Sequence, residues 1–276
     1  MIETNLQGNR LVADGVSVGY GDALIIEKLS LEVVDQGFTA LVGPNGSGKS
    51  TLLKTFARIL KPNTGAILID GESITKQASK EVAKKLAFLP QGPVVPEGIT
   101  VEQLVSYGRS PYRSGFGTAT AEDRSITDRA LAITSLNDMR DRPVTDLSGG
   151  QRQRAWVAMT LAQDTGILLL DEPTTFLDIA HQFELMDLLA DLHDNGRTIV
   201  IVLHDINQAC RYANNVVVLR DGAIYQQGNP AQVVTAEMLH DVFEIECRVL
   251  PDPETGTPMC VPLGNRRKSK LKPQKV

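Results

Sequence analysis

Hydrophobic residues along this chain follow two periodicities that take turns. Near the start they form short runs: Leu11-Val12-Ala13, Val16-Ser17-Val18, the alternating Leu29-Ser30-Leu31-Glu32-Val33, and Phe38-Thr39-Ala40-Leu41-Val42. Each has the length and composition of a strand. From residue 50 to 60 the spacing changes. Leu52, Leu53, Phe56, Ile59 and Leu60 recur as they would on one face of a helix. Strands are expected again over residues 66–71 and 86–89. Between Pro90 and Pro143 the pattern turns helical, with helices expected over 101–107 and 121–136. Strands return over 167–170, 199–203 and 216–219, separated by helices. This alternation predicts an α/β core with a largely parallel central sheet, interrupted by a helical insertion.

Composition narrows the setting. The 276 residues can bury a substantial core in one or two domains. At 42% hydrophobic and 22% charged, the chain reads as globular and soluble. Its longest apolar runs, such as Ile199-Val200-Ile201-Val202-Leu203, have strand length, whereas a membrane span needs roughly 20 apolar residues. Residues 1–10 lack the cationic start and apolar core of a signal peptide. Cys210, Cys247 and Cys260 are widely spaced with no CxxC pair, which fits a reducing cytosol better than disulfides or zinc. The net charge of −5 is uneven. Residues 265–276 carry six basic residues and no acid, so the body holds 22 basic against 33 acidic residues, net −11. Such a body is a poor nucleic-acid binder. The basic tail reads as a solvated, disordered end, with anionic lipid as an alternative contact.

Candidate chemistry lies at the strand ends. Gly43-Pro44-Asn45-Gly46-Ser47-Gly48-Lys49-Ser50 joins an expected strand to an expected helix, the context a phosphate-binding loop requires. Its glycines let backbone N–H groups turn toward phosphates, and the helix start adds its positive dipole end. Lys49 supplies a charge to the outer phosphates, and the Ser50 hydroxyl reaches magnesium. Alone, this loop does not separate ATPases, GTPases and small-molecule kinases. Ile167-Leu168-Leu169-Leu170 then runs into Asp171 and Glu172, at the end of a strand where ligands of open α/β sheets lie. Asp171 is expected to hold magnesium and Glu172 to act as general base toward the attacking water. Ser148-Gly149-Gly150 opens a second helix from Gln151 and could face another phosphate. His204 ends the strand over 199–203.

These elements, in this order from about Tyr20 to Gly228, closely resemble the nucleotide-binding subunit of an ABC transporter. The resemblance implies a P-loop NTPase (RecA-like) α/β core, an N-terminal antiparallel β subdomain and an inserted helical subdomain. One ATPase domain is then expected over residues 8–264, with the helical part at about 92–160 and a basic tail at 265–276. It implies ATP and Mg2+ as ligands. ATP contacts are expected from Tyr20 on adenine, from Gly43, Pro44, Asn45, Gly46, Ser47, Gly48, Lys49, Ser50 and Thr51, and from Gln91 and Asp178. Ser148, Gly149, Gly150 and Gln151 are expected to contact the ATP of a second copy in a head-to-tail pair. Magnesium is assigned to Ser50, Gln91 and Asp171, and the γ-phosphate contact to His204. In Phe176-Leu177-Asp178 the commoner family form begins Ser-Ala, a departure that leaves Asp178 in place. His181, His193 and His240 match no catalytic element and read as surface or packing residues.

Two further phrases point to a branch. Tyr107-Gly108-Arg109-Ser110-Pro111-Tyr112 and Thr174-Thr175-Phe176-Leu177-Asp178-Ile179-Ala180-His181-Gln182 resemble importer ATPases for ferric siderophores, haem and cobalamin, with ferric siderophore preferred. The implied partners are two transmembrane permease subunits, a second copy of this chain and, indirectly, a substrate-binding protein, at the cytoplasmic face of the membrane. Residues 105–116, rich in Arg and aromatics, are expected to receive a helix of the membrane subunit, with Arg109 as an anchor. Other classes fit less well. There is no Asn-Lys-x-Asp guanine-reading motif, a repair ATPase would need a coiled coil between Lys49 and Ser148, and a translation factor would carry two cassettes.

Overall fold

Strand β1 (Leu11–Tyr20) runs straight through both of the first apolar runs. Register shifts around Gly15 join them into one bulged strand paired with β2 (Ala23–Val33). β3 (Phe38–Val42) leads through the glycine-rich loop into helix α1 (Lys49–Phe56). The computed structural model describes residues 10–95, 97–113 and 118–264. The expected basic tail, residues 265–276, lies outside that set.

Helix α1 stops at Phe56 and does not reach residue 60. Arg58 adopts a left-handed φ of 60°, and the amides of Ile59 and Leu60 both turn back to the Lys54 carbonyl. This is a helix-closing geometry that side-chain spacing does not reveal. β4 (Thr64–Ile69) and β5 (Glu72–Ser73) follow, then α2 (Ser79–Lys85), β6 (Leu86–Leu89) and α3 (Val101–Ser106). A 3-10 turn over Tyr107–Tyr112 comes next. Helix α4 (Ala121–Ile133) ends three residues before the expected position, because Ser135 turns left-handed and lets buried Leu136 fold back onto Leu131. Then come α5 (Gly149–Ala162), β7 (Ile167–Asp171), α6 (Ile179–Asp194), β8 (Thr198–Val202), α7 (Ile206–Tyr212), β9 (Asn215–Arg220) and β10 (Ala223–Gly228). The described chain closes with α8 (Pro230–Val233), α9 (Ala236–Phe243) and a hairpin of β11 (Cys247–Pro251) and β12 (Pro258–Pro262). None of these last elements is among those predicted from the sequence pattern, although Met238, Leu239 and Val242 give α9 a buried apolar face.

Two main sheets form. An antiparallel sheet has the order β2-β1-β4-β5, and a six-stranded sheet has the order β10-β9-β3-β8-β7-β6. In the larger sheet β9, β3, β8, β7 and β6 are parallel, and only the edge strand β10 is antiparallel. Both faces are covered, which explains the continuous apolar runs. Within β7, Leu168 and Leu170 join the core shared with the helices, while Ile167 and Leu169 join the core shared with the antiparallel sheet and α1. In β8, Ile199 and Ile201 face one core, and Val200 and Val202 the other. The sheet is therefore the common wall of two cores. Its parallel strands deliver their C-terminal ends to one edge, where the candidate chemistry collects. Among the described residues no helix is long and apolar enough to cross a membrane.

Candidate functional site

The glycine-rich loop wraps the start of α1 closely. Gly43 has φ +149°, and a Cβ there would stand 2.1 Å from the Leu219 carbonyl oxygen. Only glycine fits between that strand end and the loop. Gly48 caps α1 with a φ of 99°, aiming the helix N-terminus into a cleft of about 530 Å³. Lys49, only 5% exposed, folds back so that its ammonium donates to the Gly43 and Pro44 carbonyls, both at 2.8 Å. Burial pulls its pKa below the usual lysine value, while Glu172 and Asp171 oppose that shift by attraction.

On the far wall, Asp171 ends β7 and is fully buried. Its Oδ1 accepts the Ser50 hydroxyl at 2.8 Å. Its Oδ2 is buried and finds no hydrogen-bond partner among the described residues. Burial pushes its pKa up, and the Ser50 hydrogen bond only partly offsets this. Glu172 follows in a left-handed conformation, φ 52°, of the kind that concentrates at functional sites. Its Oε1 lies 2.7 Å from His204 Nε2. Its Oε2 accepts Gln91 Nε2 at 2.7 Å and the Thr175 hydroxyl at 3.4 Å. Asn45, Gly46, Thr51 and half-exposed Tyr20 also line this cleft. Ile25 lines it too, a β2 residue that no motif singled out. Gly43, Pro44 and Ser47 shape the loop behind it. The Ser47 hydroxyl is buried beneath the loop without a hydrogen-bond partner among the described residues.

The other expected contacts sit elsewhere. Ser148 caps α5 in a capping box: its Oγ accepts Gln151 N at 3.3 Å, and Gln151 Oε1 accepts Ser148 N at 3.1 Å. Ser148, Gly149, Gly150 and Gln151 line a separate cleft of about 500 Å³ with Asp178, Phe176, Arg154 and His181. None of these residues lines the cleft over the phosphate loop. Asp178 caps α6 by accepting His181 N at 3.0 Å, and its Oδ1 also meets His181 Nδ1 at 2.7 Å. Those two contacts, the backbone bond first, hold the Asp178 carboxyl below the usual range. His181 thus reaches a candidate site that its sequence context did not suggest. His193 is a packing residue, tilted against Phe38 with ring centroids 6.0 Å apart.

Arg109 is not an exposed anchor. It is 3% exposed and ion-paired at 3.0 Å with buried Asp123. Tyr107 and Tyr112 remain on the surface of that turn, and Phe116 lies outside the described residues.

With this geometry in view, the comparisons are specific. A family model described as ABC transporter matches residues 26–175. A probable siderophore transport system ATP-binding protein of Bacillus subtilis is 53% identical over 253 residues, covering 91% of this chain and 92% of that protein. A petrobactin import ATP-binding protein of Bacillus anthracis is 50% identical over 254 residues, 92% of this chain and 93% of its own. Among solved structures, an inward-facing putative metal-chelate type ABC transporter superimposes with a TM-score of 0.80 at 28% identity, covering 95% of this chain and all of that one.

Proposed function

The chain belongs to the ABC transporter family, and from that premise we propose that it is the ATP-hydrolysing subunit powering import of a ferric siderophore-type metal chelate. ATP is its substrate, as for ATP-binding subunits of the family. The observation that carries the cargo class is the 53% identity, across 91% of the chain, to a probable siderophore transport subunit. The petrobactin relative supports import as the direction.

The geometry supports a division of labour. Lys49 and the loop amides bind and orient the phosphates of ATP. Half-exposed Tyr20 lies on the same cleft, where its ring offers a stacking face to adenine. Asp171 and Ser50 fit a magnesium ion: both are hard oxygen donors, and the buried Oδ2 of Asp171 has no hydrogen-bond partner among the described residues. Gln91 would join them. Bound there, the ion supplies charge neutralisation on the phosphates. Glu172 takes the proton of the attacking water. His204 and Gln91 hold its two oxygens in place, and His204, which lines the same cleft, would contact the terminal phosphate.

The separation of the two clefts supports a head-to-tail pair of subunits. Each ATP is then held by the phosphate loop of one copy and by Ser148, Gly149, Gly150, Gln151 and Asp178 of the other. Two transmembrane permease subunits sit above the pair, with Tyr107 and Tyr112 on the receiving surface. A substrate-binding protein delivers cargo from outside. The subunit therefore lies at the cytoplasmic face of the membrane, without contact to nucleic acid.

Deletion of the gene tests the assignment under iron limitation, with a ferric chelate as sole iron source. Impaired growth and uptake are expected. Normal uptake, with no redundant importer, redirects the cargo to cobalamin or haem. Failure to co-purify with any polytopic membrane protein would instead favour a soluble ABC ATPase.

A further inference from the structure

Three elements meet at one buried guanidinium. Arg109 leaves the 3-10 turn over Tyr107–Tyr112, and its Nε donates to Asp123 Oδ1 at 3.0 Å. Its Nη1 donates to the Ala162 carbonyl at 3.1 Å, at the last residue of α5. Its Cζ lies 3.9 Å from the centroid of the Tyr112 ring. Asp123 in turn closes the capping box of α4, where its Oδ2 accepts the Thr120 amide and hydroxyl at 3.0 and 2.9 Å. Burial works against the Asp123 carboxylate, but the Thr120 and Arg109 contacts win and keep its pKa below the usual range. The turn is pressed onto the helix as well. A Cβ on Gly108 would stand 2.2 Å from the Met159 carbonyl oxygen of α5.

The other end of α5 is Ser148. At about 1.5 Å of rise per residue, its 14 residues span roughly 20 Å. One helix thus joins the cap assigned to the partner's ATP to the turn that displays Tyr107 and Tyr112. A buried ion pair is a poor way to gain stability, since apolar residues of similar volume usually serve as well. What a planar fork adds is direction: it fixes two acceptors at once, here on two different helices.

We propose that the Arg109–Asp123 pair is a positioning device that locks the exposed Tyr107–Tyr112 turn to α5 and α4. Movement at Ser148 then reaches the membrane-facing surface without slack. The idea rests on the transporter reading above, in which that turn meets the permease. Arg109 acts through the turn and touches neither ATP nor cargo.

The test uses the full chain, alone and in its complex with the membrane subunits. The double variant Arg109→Met with Asp123→Asn stays close to the native pair in size and leaves an acceptor for Thr120 in the α4 cap, but removes the guanidinium fork and its charged partner. In the isolated subunit, amide hydrogen exchange over residues 107–112 is expected to rise at least about tenfold while α5 stays protected. Basal ATPase is expected to stay within about twofold of wild type. In reconstituted liposomes, transport per ATP hydrolysed is expected to fall at least about tenfold. Arg109→Lys, which keeps the charge but not both bonds, is expected to lie between, and it carries the test should the double variant not fold. Unchanged exchange over 107–112 overturns the clamp, whatever the chain transports. Loosened exchange with full transport coupling overturns its role in transmission. Equal loss of basal ATPase and transport reduces the pair to a fold-holding contact and also overturns the proposal. A wild-type chain that assembles with no membrane subunit defeats the transporter reading, while the exchange result still judges the clamp.

Discussion

The Glu172 carboxylate meets His204 Nε2 at 2.7 Å across the ends of two neighbouring parallel strands, β7 and β8. With Gln91 on its second oxygen, the carboxylate has little rotational freedom before any substrate arrives. Glu172→Gln keeps the shape but loses the base. ATP binding should persist while turnover falls at least about 10²-fold, and ATP-bound dimers should accumulate. Steady-state phosphate release together with gel filtration in ATP measures this. Turnover near wild type would take the base role away from Glu172.

Lys49→Ala should act earlier. Its ammonium is buried among loop carbonyls at 2.8 Å, beside the space for phosphates. Its loss should weaken ATP binding itself, by about tenfold or more for one charge-assisted contact. Equilibrium titration with a fluorescent ATP analogue reads the effect. Affinity equal to wild type, with only turnover lowered, would contradict it.

Asp171 offers a stability test with a defined sign. Burial raises its native pKa above the unfolded value, so the native state binds the proton more readily. Its favourable contribution is complete below the ordinary carboxylate range and is lost as pH rises through the raised native value. Asp171→Asn removes the buried charge. It should be more stable than wild type at pH 7, by on the order of 1 kcal/mol, while losing magnesium-dependent turnover. The advantage should shrink as pH falls toward 4. Thermal melts of both proteins at pH 7 and pH 5 decide the matter, and a variant less stable than wild type at pH 7 would reverse the argument.

The two separate clefts predict complementation. A Ser148→Arg subunit mixed with a Lys49→Ala subunit makes dimers in which one site carries both defects and the other carries neither. ATP binding should survive at one site per mixed dimer, as counted by stoichiometric titration. Loss at both sites, with each subunit folded, contradicts the head-to-tail pair.

Gly43→Ala should be among the most harmful single changes to the fold. Its φ of +149° and the Leu219 oxygen 2.1 Å from the added carbon leave no room. A loss of about 2–4 kcal/mol is expected from combined strain and clash, visible in urea melts. Gly46→Ala serves as control, since a Cβ there meets nothing within 4 Å although φ is +81°. It should cost less.

Much of this was readable in the chain because the site uses glycines, charges and strand ends, which leave local marks. The loop at 43–50, the apolar run into Asp171 and the cap at Ser148 each announce their backbone through residue type. The helix ends at Phe56 and Ile133 were not readable, because Arg58 and Ser135 turn left-handed under tertiary packing and neither residue type signals it. The hairpin of β11 and β12 escaped for another reason. Its strands are short, half-exposed and carry prolines at their ends, so alternation never builds up. Arg109 misled most clearly. An arginine among tyrosines reads as a surface anchor, and only the fold shows Asp123 and the end of α5 waiting for it. His181 carries no local mark, because its contact with Asp178 exists only once Asp178 caps the first turn of α6 and brings the ring back to its carboxylate.

The wall between the two cores has a consequence for how such a chain can drift. Leu169 and Leu170 are neighbours in sequence, yet each answers to a different set of packing partners. Both hold the same backbone, and that backbone ends at Asp171. A methyl lost on either side is therefore felt at one carboxylate. A substitution that relieves the damage need not arise in the layer where it occurred, but an exchange of volume across the sheet shifts the strand end, so Asp171 limits how far such an exchange can go.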